Sequence, residues 1–165
     1  FNKPSFNQVY RDSVFTSETF AIGSEMSGGV FNITVDRCTF GGDGSDYAGV
    51  HLKTMRGRGA AIHGIRLTNL IFHMETSTKQ VHPFSASLFY SGNPPPTNAT
   101  ATPHIYDVLL ENATIYLKQG SRSQLRQQEK DPDVMFQFIG LPESIMTDFR
   151  FHNVTLMSGE SHSWE

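Results

Sequence analysis

The sequence predicts an all-β fold in which similar strands stack in successive coils, a β-solenoid. Five ten-residue segments align without gaps and carry mostly apolar residues at their third and fifth positions, which lie on one face of a strand. Helical periodicity is weak throughout. The polar stretch at residues 119–130 has Leu125 as its single apolar residue, which favours an exposed loop over a packed helix. The aligned segments are residues 6–15, 31–40, 63–72, 106–115 and 147–156.

Two further columns of this alignment predict the shape of each coil. The seventh column holds Asp, Arg or Asn, and Asn suits a bend because it tolerates left-handed backbone and hydrogen-bonds its own main chain. The tenth column, which is Phe, Ile or Leu, begins a second inward-facing strand. Each coil is therefore predicted to bury its apolar columns against those of the neighbouring coils. The seventh-column residues are Asp12, Arg37, Asn69, Asn112 and Asn153.

Three irregular segments interrupt the coils. Residues 41–47 are rich in Gly and Asp and predict a turn. Residues 91–103 contain three consecutive prolines, which cannot donate to a sheet ladder, so they predict a long surface loop. Residues 140–144 predict a shorter turn before the last aligned segment. Neither a second domain nor a linker is indicated, so residues 1–165 are predicted to form a single domain.

Composition restricts the classes of partner and cofactor. The formal net charge of -3 argues against a nucleic acid or an anionic membrane, and no apolar run approaches the ~20 residues of a membrane helix. The 7 histidines lack metal-ligand spacing, and the Gly-rich segments lack nucleotide-binding motifs, so no metal and no cofactor is predicted. The single cysteine, Cys38, excludes an intrachain disulfide and is predicted to be buried.

Four Asn-x-Ser/Thr triplets are potential acceptors of N-linked glycans. One such triplet arises often by chance, but four in a chain of 165 residues favour a glycosylated, secreted protein. Phe1 is not an initiator Met, and the chain is expected to begin inside a longer or processed polypeptide. The acceptors are Asn32, Asn98, Asn112 and Asn153.

Two motifs carry a family resemblance. Residues 22–30 read IGSEMSGGV, and residues 50–54 read VHLKT, followed by RGRG at residues 56–59. In this order they resemble the late coils of the polygalacturonase-type glycoside hydrolases of family 28. With the proline loop and the turn at residues 140–144, the resemblance extends over about residues 9–156. It implies a right-handed parallel β-helix that forms the C-terminal half of a longer glycoside hydrolase-like domain.

The family's catalytic motifs are only partly represented. Its carboxylates lie in an Asn-Thr-Asp motif and an Asp-Asp pair, and neither occurs in this chain, so no catalytic residue is predicted. Ser17 stands where the family has the His of a Gly-His-Gly motif. The family's Arg-Ile-Lys motif aligns with residues 51–53, so Lys53 is kept and His51 replaces the Arg. The resemblance thus implies a substrate-binding role for Lys53, His51 and Ser17, and Arg58 is expected to contact the substrate.

Strand alternation independently favours a site at His51 and Lys53. Residues two apart point the same way, so these two are predicted to face outward while Val50, Leu52 and Thr54 alternate inward. A pair of cations on an open sheet face suits the carboxylate of a uronate, although His51 is charged only below about 6.5. The alternative is that Lys53 is an ordinary solvated strand residue.

Nearby carboxylates and rings have two interpretations each. Glu18 and Glu25 could act as acid or base. The favoured interpretation of Glu25 is that it accepts hydrogen bonds from the turn at residues 27–29. Phe20 and Tyr90 could stack on sugar rings, whereas burial is expected for most Phe residues.

Three functions fit these observations. The first is a fragment of a secreted hydrolase that acts on or binds pectin-type, acidic polysaccharide by inverting chemistry. The second is an extracellular β-helix module whose catalysis has lapsed but which keeps a glycan-binding or structural role. The third is a structural subunit that stacks its solenoid ends on the missing N-terminal half or on another subunit, because uncapped coils expose strand edges.

Overall fold

The computed structural model of the chain describes residues 3–16, 19–41, 49–76, 82–90, 101–119 and 136–159. These residues form strands and no helix, so the predicted all-β fold is confirmed. A helix that could span a membrane is accordingly absent from the described residues. The strands are β1 (Ser5–Arg11), β2 (Val14–Phe15), β3 (Phe20–Gly23), β4 (Val30–Asp36), β5 (Thr39–Gly41), β6 (Val50–Lys53), β7 (Ala61–Thr76), β8 (Phe84–Ser87), β9 (His104–Gln119), β10 (Phe136–Ile139) and β11 (Thr147–Gly159).

The strands form two sheets, and every strand pairing in them is parallel. In the seven-stranded sheet, β1, β4, β7, β9 and β11 lie side by side in chain order, while β5 and then β2 pair along the second half of β7. The four-stranded sheet has the order β10-β8-β6-β3. Successive passes of the chain therefore lie next to one another in both sheets.

Strand register confirms the apolar columns. Ile33 pairs with Ile65, which pairs with Val108, so third-column residues of adjacent strands lie side by side. Val35 and Leu67 of the fifth column pair in the same way. All five side chains are at most 1% exposed. This stacking removes apolar surface from water, which is worth about 25 cal/mol per Å² and is the main stabilising term of the sheet.

The first strand departs from this pattern because its inward positions are polar. Gln8 and Tyr10 occupy the third and fifth columns of β1, and both are exposed. Tyr10 Oη donates a hydrogen bond to Gln8 Oε1 at 2.9 Å, and Gln8 Nε2 donates to Ser5 Oγ at 2.9 Å. The apolar interior of the sheet therefore ends at β4, and β1 covers it with a chain of hydrogen-bonded side chains.

Each of the five aligned segments contains two residues with left-handed backbone, and the sequence predicted one of the two. The seventh-column residues have φ between 49° and 56°, which confirms the predicted bend. A second left-handed column lies at the second alignment position, where the sequence holds only Asn, Asp or Gly. Its members are Asn7 (φ 56°), Asn32 (56°), Gly64 (64°), Asp107 (53°) and Asp148 (56°).

The irregular segments are described only in part. Residues 42–47, 91–100 and 120–130 lie outside the described residues. Gly41 ends β5 and Gln119 ends β9, so each strand runs one residue further than expected. The turn at residues 140–144 is confirmed, with reciprocal main-chain hydrogen bonds between Leu141 and Ser144. Cys38 is buried as predicted, at 2% exposure.

Candidate functional site

The two motifs singled out in the sequence lie against each other. Gly23, the last residue of β3, pairs with Lys53, the last residue of β6. Gly23 has φ 97°, and a Cβ atom there would lie 1.8 Å from the carbonyl oxygen of Lys53. Glycine at this position therefore permits a left-handed backbone and brings the GSE segment into contact with the strand that carries Lys53.

The loops that follow β3 and β6 are equally close. Met26 forms a parallel bridge with Gly59. Gly59 has φ 112°, and a Cβ atom there would lie 2.4 Å from Ser27 Cα. The loop of residues 24–29 and the RGRG turn are therefore packed main chain against main chain, which brings the side chains of the two motifs together.

The outer face of the four-stranded sheet presents two columns of side chains, in which His51 and Lys53 lie next to serines. Lys53 pairs with Ser87 of β8, and His51 pairs with Ser85. His51 and Lys53 are partly exposed, whereas Val50, Leu52 and Thr54 are 0% exposed. The predicted alternation is therefore confirmed. The outer columns are Ala21, His51, Ser85 and Gln137, and Gly23, Lys53, Ser87 and Ile139.

Two cations meet at one aromatic ring beside this face. Lys53 Nζ lies 4.9 Å from the centre of the Tyr90 ring, and Arg58 Cζ lies 5.9 Å from it. Arg58 donates to Ser24 Oγ at 2.6 Å and forms an ion pair with Glu25 Oε1 at 2.8 Å. These five residues, Ser24, Glu25, Lys53, Arg58 and Tyr90, are called the Tyr90 cluster below. It joins both sequence motifs to Tyr90, the residue that follows the bridge of Met55 with Phe89.

The two cations of the Tyr90 cluster differ in how they are satisfied. The guanidinium of Arg58 already has a hydroxyl and a carboxylate as partners. Among the described residues, no carboxylate oxygen lies within 4.0 Å of Lys53 Nζ. A cation above an aromatic face is attracted by the ring quadrupole, but it keeps its capacity to bind an anion. Lys53 is thus the cation available to a ligand.

Glu25 has a different partner from the one expected. The favoured expectation was that it holds the turn at residues 27–29, but its carboxylate pairs with Arg58 across the two loops. The turn is instead closed by its own main chain, where Gly29 donates to the carbonyl oxygen of Met26 at 2.8 Å. Glu25 therefore fixes Arg58 rather than the turn.

His51 is a weaker cation than its position suggests. Burial lowers its pKa below the usual 6.5, the charges of His82 and Lys53 lower it further, and a hydrogen bond to the main chain of His82 acts in the opposite direction. Protonation of His51 therefore requires a lower pH than the sequence expectation assumed. At neutral pH it can offer an uncharged ring to a ligand.

Three other residues were expected near the ligand or to act on it: Ser17, Glu18 and Phe20. Ser17 and Glu18 lie outside the described residues. Phe20 is not a free sugar platform, because its ring makes edge contacts with Tyr10 at 4.9 Å, Phe15 at 5.6 Å and Phe40 at 6.4 Å between centroids. Of the two interpretations of Phe20, the structure supports packing, because its ring lies partly buried at the edge of the core.

A second ion pair, which the sequence did not indicate, ties the RGRG turn to the turn at residues 140–144. Arg56 Nε and Nη2 both contact the carboxylate of Glu143, the latter at 2.8 Å. This pairing lowers the pKa of Glu143 to about 2 and raises the pKa of Arg56. Because the pair is bidentate, it fixes both the position and the orientation of the RGRG turn, which also carries Arg58.

The pair of Ser144 and His104 resembles a nucleophile and its base, but its hydrogen bonds indicate a structural role. Ser144 Oγ is 3.0 Å from His104 Nδ1 and donates to the carbonyl oxygen of Pro103 at 2.7 Å. The hydroxyl proton is thereby used, so the imidazole is left to donate rather than to accept. Ser144 is 1% exposed. The contact fastens the turn at residues 140–144 to the start of β9.

The acceptor asparagines that are described lie in exposed ladders. Asn32 Nδ2 donates to Asn7 Oδ1 at 2.5 Å, and Asn153 Nδ2 donates to Asn112 Oδ1 at 2.8 Å. Asn98 lies outside the described residues. Glycosylation of the four acceptors remains a prediction.

Comparisons with known proteins give no assignment, because no family model, curated protein or solved structure matches this chain. Within the described ranges, no group of three or more His, Cys, Asp or Glu side chains could hold a metal ion. The arrangement of the Tyr90 cluster is therefore the observation on which a functional proposal depends.

Proposed function

We propose that this chain forms part of a right-handed parallel β-helix of the polygalacturonase-like type, and that the outer face of its four-stranded sheet binds a uronate-containing, pectin-type polysaccharide. The parallel sheets, which take up strands from successive passes in register, support the helix. Crossovers between parallel strands are right-handed in about 98% of cases, which supports the handedness. The resemblance of residues 22–30 and 50–59 supports the substrate class.

The position of Lys53 carries the proposal. Its ammonium group lies above Tyr90, on the outer face of the sheet, without a carboxylate partner among the described residues. An ammonium group binds a carboxylate as a point charge. Ser87, the neighbour of Lys53 in β8, accepts a hydrogen bond at Oγ from the main-chain N–H of Phe89 at 3.1 Å, so its hydroxyl proton is left to donate to the same ligand. A cation, an aromatic ring and a hydroxyl together suit an acidic sugar.

Arg58 has a supporting part in this arrangement. Its guanidinium is held by Ser24 and Glu25, so its charge is largely balanced before a ligand arrives. It holds one side of the Tyr90 ring and adds weak positive potential to the site. We assign ligand anchoring to Lys53 and ring positioning to Arg58.

Binding is better supported than hydrolysis. Inverting hydrolysis needs two carboxyl groups about 6.5–9.5 Å apart. Glu25 is the one carboxylate in the Tyr90 cluster, and it is engaged by Arg58. Cleavage would require further carboxylates, either from residues that the structure does not describe, such as Glu18, or from outside this chain. We therefore propose a secreted glycan-binding β-helix, with polygalacturonase activity as the alternative.

A binding measurement tests this proposal. Titration calorimetry with trigalacturonate should give a saturable signal, and a neutral trisaccharide of similar size should give none. The same signal for both sugars, or none for trigalacturonate, would contradict the proposal. A reducing-end assay on polygalacturonate tests the alternative, because release above a heat-inactivated sample would show hydrolysis.

The variant Lys53→Gln locates the binding site. Losing the charged hydrogen bond should cost about 1–2 kcal/mol, which weakens the Kd for trigalacturonate roughly 5- to 30-fold. Arg11→Gln is the matched control, because it removes one positive charge from the exposed edge strand β1 of the other sheet. Equal weakening by the two variants would show a general charge effect and remove Lys53 from the site.

A second candidate role is stacking at the ends of the helix. Every residue of the edge strand β1 is exposed, and Phe6 stacks at 5.1 Å on Phe31 while remaining 48% exposed. An unpaired parallel edge accepts a further strand. We propose that this edge packs against another coil, either from an N-terminal half or from another subunit. Light scattering at about 100 μM protein tests whether the edge packs against a second copy of this chain. A mass of the monomer alone would contradict that form of the proposal.

A further inference from the structure

Two of the predicted glycan acceptors lie at the same position on adjacent strands. Asn112 of β9 and Asn153 of β11 are flanked by the register pairs Glu111 with His152 and Ala113 with Val154. Both side chains are exposed, and both residues have left-handed backbone, with φ of 54° and 49°. Adjacent strands are separated by about 4.8 Å, so the two side chains leave the sheet side by side in the same direction.

Their amide groups are also bonded to each other. Asn153 Nδ2 donates to Asn112 Oδ1 at 2.8 Å, and Asn112 Nδ2 donates to Asn69 Oδ1 at 3.2 Å. Nδ2 is the atom to which an N-linked sugar is attached. A glycosylated amide keeps one N–H, so a single glycan leaves the ladder intact. Two glycans would start from neighbouring amides that are within hydrogen-bonding distance.

We infer that Asn112 and Asn153 share one glycan position, so that the folded protein carries a sugar on either residue but not on both. N-linked glycans are bulky and branched, and two of them cannot leave adjacent strands in the same direction without separating the amides. Because the sugar is attached before the chain folds, both acceptors can be modified, and the clash between two glycans on adjacent strands then excludes the doubly modified chain from the folded state. This inference is independent of the glycan-binding proposal.

Asn32 supplies the contrast. It lies in the other left-handed column and in β4, so β7 and β9 separate it from β11 by three strand spacings, about 14 Å. Its neighbour in β7 is Gly64, which has no side chain. A glycan on Asn32 should therefore coexist with one on Asn153.

The test compares two proteins that keep different pairs of acceptors. Substituting the Thr of a triplet by Val prevents glycosylation of its asparagine, while the asparagine itself and the β-branched shape of the substituted residue stay. The first protein, T34V/T100V, keeps Asn112 and Asn153. The second, T100V/T114V, keeps Asn32 and Asn153. Both are secreted from a glycosylating eukaryotic host and analysed by intact mass and glycopeptide spectrometry, with thermal melting as the check on folding.

In the second protein, the doubly glycosylated fraction should equal the product of the two site occupancies. In the first, we expect it to be at least tenfold below that product, with doubly modified chains retained inside the cell. Three results would overturn the inference: a doubly modified fraction equal to the product in the first protein, the same depletion in both proteins, or no sugar on Asn112 or Asn153.

Discussion

The two sheets of this protein use repetition differently. In the seven-stranded sheet, a column repeats the same kind of residue: the rings of Phe15, Phe40 and Phe72 stack at 5.0 and 5.1 Å. The outer face of the four-stranded sheet does not repeat, because Lys53 lies between Gly23 and Ser87. Side chains of the same kind pack against one another along a column and stabilise the sheet. Lys53 has no side chain of its own kind beside it in its column, so its ammonium group is available to a ligand. The proposed site therefore lies where the repetition is broken.

The largest expected effect comes from breaking a repeated column. Phe72 is 0% exposed and stacks on Phe40, so Phe72→Ala should lower the free energy of unfolding by about 3–5 kcal/mol. Phe6→Ala is the control, because Phe6 ends an outer stack at 48% exposure and should cost less than about 1 kcal/mol. Equal costs in urea denaturation would show that stacking position does not determine stability.

The next effect concerns the junction that builds the site. Gly23→Ala combines a left-handed backbone with a contact of 1.8 Å to the Lys53 carbonyl oxygen, and it should cost about 2–5 kcal/mol. Gly140→Ala meets nothing closer than the Ser144 carbonyl oxygen at 3.7 Å, so it should change stability by less than about 0.5 kcal/mol. A neutral Gly23→Ala in the same denaturation experiment would contradict the close packing of the two motifs.

The asparagine ladder should contribute less, because it is exposed. Asn69 has φ 56°, donates to Asp36 Oδ1 at 2.8 Å and accepts from Asn112 at 3.2 Å. Asn69→Ala loses these bonds and strains the left-handed backbone, at an expected cost of about 1–2 kcal/mol. Asn69→Gly loses the same bonds without strain, so it should cost clearly less. If glycine proves as costly as alanine, the ladder bonds rather than the bend are the stabilising feature.

The smallest effect is a pH dependence at the four-stranded sheet. The pKa of His51 is lowered on folding, chiefly by burial, so below about 6.5 the unfolded chain binds more protons than the folded one. The stability that depends on an uncharged His51 is fully present above that pH and is lost as the pH falls through the folded-state pKa. His51→Gln should therefore lose less stability than the parent between pH 7.5 and 5. An unchanged pH dependence of the free energy of unfolding in His51→Gln, measured by urea denaturation across this range, would contradict the prediction.

The sequence predicted the seven-stranded sheet much better than its partner. Its apolar columns and the bends at Asn69, Asn112 and Asn153 follow from ten-residue segments that repeat the same residue types. Repetition is visible to alignment because each column must satisfy the same neighbours. The second left-handed column, with Asn32 and Asp107, is equally visible in composition, because its positions hold only Asn, Asp or Gly.

The four-stranded sheet could be predicted only in part. The outward positions of His51 and Lys53 followed from alternation, but β3, β6, β8 and β10 have only four residues each and share little beyond apolar first and third positions, which is too short a pattern for alignment to detect. The meeting of Arg58 with Glu25 depends on two loops in contact, which spacing along the chain cannot show. Contacts between segments of unlike sequence determine the geometry of the site, whereas the repeated columns determine how the strands stack.

A crystal structure of the chain with bound trigalacturonate tests the proposed site most directly. The expected result is a uronate carboxylate oxygen about 2.7–3.2 Å from Lys53 Nζ, with the sugar beside the Tyr90 ring. An ordered oligomer elsewhere on the surface, with the Lys53 ammonium free of it, would contradict the assignment of this face as the glycan-binding surface.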